Sequence, residues 1–235
     1  FSLDEGVTWT KYEGNPVLDL GMKDFRDPKV SWNSFTNKWL MTIAKPLEYK
    51  IAFFQSDDLK KWEHLSDFGP LGATGGCWEC PDLIPLTTPE NEIKWVLLVS
   101  LNPGGIAGGS GTQYFIGDWD GKNFTTDQKS IKWIDYGRDN YAGVTFNDAP
   151  NSRRIFIGWM NNWEYAHTFP TDPWRGAMTM PRELTLVSKE GKLLLAANPV
   201  AELEKYVGEK LSAGNGAELL EIKTSVSTTD GLSTK

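Results

Sequence analysis

The sequence repeats itself, and the period limits the fold more than any other feature. Ser2-Leu3-Asp4-Glu5-Gly6-Val7-Thr8-Trp9, Ser56-Asp57-Asp58-Leu59-Lys60-Lys61-Trp62 and Gly117-Asp118-Trp119-Asp120-Gly121-Lys122-Asn123-Phe124 share one form: a small residue, an Asp two or three places on, then an aromatic. Each reads as a polar turn between two strands. A second register runs between them. Asp27-Pro28-Lys29-Val30 followed by Lys38-Trp39-Leu40-Met41-Thr42-Ile43 resembles Cys80-Pro81-Asp82-Leu83 followed by Lys94-Trp95-Val96-Leu97-Leu98-Val99, and Pro28 and Pro81 lie 53 residues apart. Tyr141 to Phe146 followed by Arg154 to Ile157 continues the series. Short β-rich runs with turn signals and little helical periodicity mean an all-β fold. Four strands per repeat of roughly 40 to 60 residues is the pattern of a propeller blade. The competing architecture is a β-sandwich with chance-like hairpins; two registers repeating together favour the propeller.

In a propeller the first strand of each blade lines a central channel, so residues at one phase of successive repeats converge on one axis. Asp27, Glu79 and Asp139 each stand next to or two places before Pro28, Pro81 and Tyr141, which predicts three carboxylates opening the innermost strands. A single Asp-Pro is better read as a turn. Paired acids across a pocket are the equipment of glycoside hydrolysis, and crowding separates their proton affinities. Arg26 beside Asp27 is expected to favour its ionised form, and Trp78 beside Glu79 to supply apolar surroundings for a protonated acid.

Composition removes other functions. Asp and Glu outnumber Lys and Arg 31 to 24, and no basic cluster occurs, so the footprint needed for phosphate-backbone binding is missing and nucleic acid is not an expected partner. The longest apolar runs, Trp95 to Val99 and Leu193 to Ala197, fall far short of the roughly 20 residues of a membrane-spanning helix. Eleven Trp, 11 Phe and 7 Tyr suit both sugar stacking and a sheet-rich core. Two Cys, Cys77 and Cys80, and two His are too few for a typical structural zinc site, and no metal is expected. Their Cys-x-x-Cys spacing matches a redox motif, but such a motif opens a helix, whereas Pro81 to Pro85 reads as extended.

Phe25-Arg26-Asp27-Pro28-Lys29-Val30 and Trp78-Glu79-Cys80-Pro81 resemble the Arg-Asp-Pro and Glu-Cys motifs of glycoside hydrolase family 32, the invertases, inulinases and levanases. Asp135-Tyr136-Gly137-Arg138-Asp139-Asn140-Tyr141-Ala142, Gly158-Trp159-Met160-Asn161-Asn162-Trp163 and Pro173-Trp174-Arg175-Gly176 match further family signatures in order, so the resemblance covers residues 1 to 205. It implies a five-bladed β-propeller, incomplete in this chain, over residues 1–205, with 206–235 a linker leading to a truncated β-sandwich. It implies a retaining β-fructofuranosidase acting on fructan or sucrose without a cofactor. Glu79 is then the general acid/base and Asp27 the transition-state stabiliser; Arg26, Asp139 and Trp174 shape the fructose subsite, and Cys80 tunes Glu79.

The family nucleophile, an Asp in a Trp-Met-Asn-Asp-Pro-Asn-Gly motif, has no counterpart in the sequence. The chain opens inside a strand-turn pattern, which suggests a fragment, inactive by itself. Asn102 to Tyr114 and Asp139 to Val144 look closer to the exo-inulinase and levanase branch than to yeast-type invertase. Asn123-Phe124-Thr125 is a glycosylation sequon, in keeping with a secreted protein. Two other functions fit parts of the sequence: a non-catalytic carbohydrate-binding propeller, and a thiol redox protein using Cys77 and Cys80.

Overall fold

The computed structural model describes residues 1–208. The chain divides into two compact units, Phe1–Val200 and Ala201–Lys235. Most of the expected linker, from residue 209 on, lies outside the described residues; Ala201–Tyr206 forms a 3-10 helix. No helix among the described residues is long and apolar enough to cross a membrane.

The first unit is built from three antiparallel meanders. Blade 1 comprises β1 (Arg26–Asn33), β2 (Lys38–Lys45), β3 (Lys50–Ser56) and β4 (Glu63–Phe68), paired in that order. Blade 2 comprises β5 (Cys77–Thr87), β6 (Ile93–Asn102), β7 (Gly111–Trp119) and β8 (Phe124–Thr125), with β9 (Lys132–Trp133) also paired to β7. Blade 3 holds β10 (Tyr141–Thr145), β11 (Ile155–Met160), β13 (Arg182–Lys189) and β14 (Lys192–Pro199), with the short β12 (Ala177–Met178) against β11. This is the all-β, four-strand repeat expected from the sequence: three blades of an incomplete propeller.

The blades stack face to face, and strand alternation decides which side chain serves which interface. Along β6, Trp95, Leu97, Val99 and Leu101 enter the core shared with Leu40, Ala44, Ile51, Phe53 and Phe68 of blade 1. Val96 and Leu98 point the other way and pack with Phe156, Leu184 and Leu186 of blade 3. A strand buried on both faces must be apolar throughout, which is why Trp95 to Val99 reads as an unbroken run. The far face of blade 1, with Met41, Ile43, Ala52 and Phe54, is covered by Leu18 and Phe25 from the preceding segment.

Two of the three Asp-bearing turns close outer hairpins; the Asp4 turn, expected to join two strands, lies before β1 and joins none among the described residues. Asp58 Oδ1 accepts the Lys60 and Lys61 N–H groups at 2.8 and 2.9 Å, between β3 and β4. Asp120 Oδ1 accepts those of Lys122 and Asn123 at 2.8 and 2.6 Å, between β7 and β8. Asp4 Oδ1 accepts the Thr8 N–H at 2.9 Å. Trp9 and Trp62 each donate their indole N–H to the carbonyl three residues back, Gly6 and Leu59, at 2.9 and 3.2 Å. Blade 3 departs from this form: β13 and β14 are joined by Glu190-Gly191, both at positive φ (51° and 72°), as a two-residue hairpin requires.

Candidate active site

Each innermost strand carries the same irregularity at its opening. Between Arg26 and Lys29, Glu79 and Asp82, and Tyr141 and Val144 the pairing with the next strand slips by one residue, so β1, β5 and β10 each hold a bulge. The second residue of each bulge has a left-handed backbone: Asp27 at φ 62°, Cys80 at 48°, Ala142 at 52°. Such φ values are uncommon without glycine, and bulges re-aim side chains. The first residues, Arg26, Glu79 and Tyr141, therefore hold equivalent positions in three successive blades, and their side chains meet.

Glu79 stands between the other two. Arg26 Nη2 and Nε reach its Oε1 at 2.9 and 3.2 Å, while Arg26 Nη1 bonds Asp24 Oδ1 at 2.9 Å. The Tyr141 hydroxyl donates to Glu79 Oε2. Burial works against the Arg26 charge, but its bonds to Glu79 and the nearby Asp27 and Asp24 hold its pKa above the ordinary value. Burial, then the Glu79 hydrogen bond, pushes the Tyr141 phenol well up, so it stays a donor. At the second bulge position, Asp27 Oδ2 accepts the Cys80 N–H at 3.0 Å and lies 3.6 Å from Cys80 Sγ.

Two details differ from the expectation. The acids are not at one phase, because Asp27 matches Cys80 and Glu79 matches Arg26. Trp78, expected beside the Glu79 carboxyl, points to the opposite side of β5 and is buried in the core with Phe68 and Phe115. The polar lid over Glu79 is Tyr141. The redox reading also fails on geometry: Cys77 and Cys80 lie in a strand, both free, and burial, then Asp27 and Glu79, pushes the Cys80 thiol far up, opposite to what a reactive thiolate needs.

Beneath this layer lies a second polar chain. Asp82, 1% exposed, accepts the Thr145 N–H and hydroxyl at 2.7 and 2.8 Å and has Lys29 Nζ at 3.6 Å. Lys29 Nζ also donates to the Thr145 carbonyl. One residue from each blade is again involved. The repeat offset of 53 that joins Pro28 to Pro81 also joins Arg26 to Glu79 and Lys29 to Asp82. Applying it to positions rather than to motifs finds both pairs.

Asp139 lies outside this cluster. It precedes β10 on an exposed loop and accepts a hydrogen bond from the Tyr165 hydroxyl, whose pKa is pushed up to about 12 by burial and then by that bond. The better-anchored acid of this loop is Asp135, bonded to Arg182 Nη1 at 2.7 Å and to the Gly137 N–H at 2.8 Å. Trp174 sits in the loop before β12, 62% exposed, its carbonyl accepting from the Thr171 hydroxyl at 2.5 Å. Arg26, Asp27, Glu79 and Cys80 are thus brought into contact, and Asp139 and Trp174 are held on separate loops.

Residues 1–197 match the model of the glycosyl hydrolases family 32 N-terminal domain. The levanase of Bacillus subtilis (strain 168) is 47% identical over 216 residues, 88% of this chain and 32% of the levanase. The extracellular exo-inulinase of Aspergillus awamori is 42% identical over 217 residues, 85% of this chain and 40% of the enzyme. The chain therefore spans well under half the length of these relatives. The crystal structure of the A. awamori exo-inulinase superposes with a TM-score of 0.80 over 84% of this chain and 42% of that one, at 42% identity. The β-fructofuranosidase of Schwanniomyces occidentalis, solved with fructosyl-erythritol, gives a TM-score of 0.81 at 42% identity over 85% of this chain and 40% of its own. Bulged inner strands with interlocked polar side chains, a matching domain model and relatives of this similarity agree: the chain belongs to glycoside hydrolase family 32.

Proposed function

We propose that this chain carries the acid/base half of a retaining β-fructofuranosidase site, in a secreted enzyme that releases terminal fructosyl residues from fructans of the inulin or levan type or from sucrose. The observation that carries the reading is the Glu79 carboxylate, held on a bulge between Arg26 and Tyr141 and next to Asp27. In this role Glu79 protonates the leaving glycosidic oxygen and then takes a proton from the water that hydrolyses the fructosyl-enzyme. Asp27 is tied through Oδ2 to the Cys80 N–H, which leaves Oδ1 for fructosyl hydroxyls whose bonds strengthen in the transition state. Cys80 acts on Glu79 at one remove, by fixing Asp27. Arg26 orients Glu79 and borders the fructose subsite, to which Asp139 and Trp174 contribute from their loops. The nucleophile motif does not occur in these 235 residues, so that role is assigned to none of the carboxylates named here. The levanase, exo-inulinase and fructosyl-bound relatives support the substrate class.

The test uses the full-length protein with sucrose, inulin and levan. Transfer to methanol is expected to yield the methyl β-fructoside, the retained product, and Glu79→Gln to lower turnover by roughly 10²–10⁴-fold, the usual worth of a general acid/base. Near-normal turnover in the variant removes Glu79 from the chemistry. Fructan binding without hydrolysis by the native protein establishes a carbohydrate-binding propeller instead.

A further inference from the structure

Three loops meet at a buried carboxamide. Asn162, fully buried, uses its whole hydrogen-bonding capacity on backbone groups of separate segments. Its Oδ1 accepts the N–H of Ser110 at 3.2 Å and of Glu164 at 2.9 Å. Its Nδ2 donates to the carbonyls of Gly108 at 3.1 Å and Arg138 at 2.9 Å. The Gly-rich connection between β6 and β7 is thereby pinned to the loop before β10 and to the segment after β11. Gly109, at φ 61°, has no room for a side chain, since a Cβ there would stand 2.0 Å from Asn162 Oδ1. The Ser110 hydroxyl completes the junction by accepting the Trp163 N–H at 3.1 Å.

The junction is at the Glu79 end of the blades. β6 ends at Asn102, directly across from Cys77, and Trp159 near the end of β11 pairs with Tyr141. The side chains next to the junction face outward. Trp163 is 45% exposed and packs 5.1 Å from Trp159 and 5.8 Å from His167, centroid to centroid. Arg138 pairs with Glu164 and lies 5.3 Å over the Tyr165 ring, with its side chain 47% exposed. An exposed aromatic stack beside a braced guanidinium offers a flat apolar face and N–H donors, the two things a sugar ring and its hydroxyls require.

We infer that Asn162 is a positioning residue for a sugar-binding rim, made by Trp163 and Arg138, that takes the units of a fructan beyond the scissile fructosyl group. The inference rests on the fructosidase reading and extends it from the cleaved unit to the remainder of the chain. Asn162 touches no substrate; it sets the distance between loops from two blades.

Full-length protein and its Asn162→Ala and Gly109→Ala variants are compared on sucrose and on an inulin-type tetrasaccharide. Both variants are expected to lose roughly tenfold in kcat/KM for the tetrasaccharide, carried by KM, with little change on sucrose. A proportional loss on both substrates, or no loss on either, overturns the assignment, since a merely structural role does not separate them. Gly109 lies outside every strand, so that variant decides the matter if Asn162→Ala fails to fold. If the native protein hydrolyses neither sugar, the enzymatic reading falls, and calorimetry with the tetrasaccharide still tests the rim: weaker binding in the variants supports it, and unchanged binding overturns it.

Discussion

The outer turns and the inner bulges are both repeated structures, yet they repeat different things. At the outer turns, backbone and side chain recur together: Asp4, Asp58 and Asp120 each accept N–H groups of their own turn. At the inner bulges only the backbone recurs. The left-handed position is filled by Asp27, Cys80 and Ala142, and the position before it by Arg26, Glu79 and Tyr141. A turn needs the same local chemistry in every blade, so its side chain repeats. A channel mouth needs complementary partners from different blades, so its side chains must differ.

That contrast predicts a graded response to substitution. After that of Glu79→Gln, the largest effect belongs to Asp27→Asn in the full-length protein. Asn tolerates the left-handed backbone and still accepts the Cys80 N–H, so the bulge survives while the charge is lost. Turnover is expected to fall by on the order of a hundredfold, the scale of one preorganised electrostatic contact, with KM nearly unchanged. If KM alone rose, Asp27 would be a binding residue and the inner position no different in kind from a subsite contact.

Next comes the buried pair under the site. Asp82→Leu leaves Lys29 facing Thr145 without its acid, at a cost of about 3 kcal/mol in stability. Adding Lys29→Met is expected to recover only part of it, because the unpaired charge is removed while the Thr145 N–H and hydroxyl stay without their acceptor. Chemical denaturation of the three proteins measures both numbers, and an additive double variant would show that the two side chains do not act as a pair.

The smallest effect is at the outer turns. Asp4→Ala is expected to lower the melting temperature slightly and leave turnover untouched. Hydrogen bonds from Thr8 and Ser2 lower the Asp4 pKa to about 2. Its contribution is therefore present above the ordinary carboxylate range and fades as pH falls through that value. The gap between variant and native melting temperatures should narrow from about pH 5 downward; a constant gap would mean the side chain acts by something other than its charge.

The same contrast explains what could be read in advance. The outer repeat was legible because its Asp and aromatic recur in the sequence, and the strands between them followed. Glu79 and Asp27 were legible as motif residues, but their relative phase was not. One extra residue in a strand changes which side chains meet without changing local composition, so the contact of Arg26 with Glu79, a repeat away, has no mark in the motifs. Tyr141 and Asn162 were visible only as parts of motifs, and the bracing role of Asn162 had no local signal, since three of its four partners are backbone groups of distant loops.

The free edges of the innermost strands carry one more consequence. In each blade β1, β5 or β10 is the last strand of its sheet, and some of its backbone groups are taken by side chains of a neighbour: the Pro81 carbonyl by Thr42, the Val30 carbonyl by Asn147, the Cys80 N–H by Asp27 and the Thr145 N–H by Asp82. Pro28 and Pro81 offer no N–H at all. Edges occupied in this way are poorer templates for a strand from another molecule, so Asp27 and Asp82, which join the blades at their inner strands, also work against edge-to-edge aggregation.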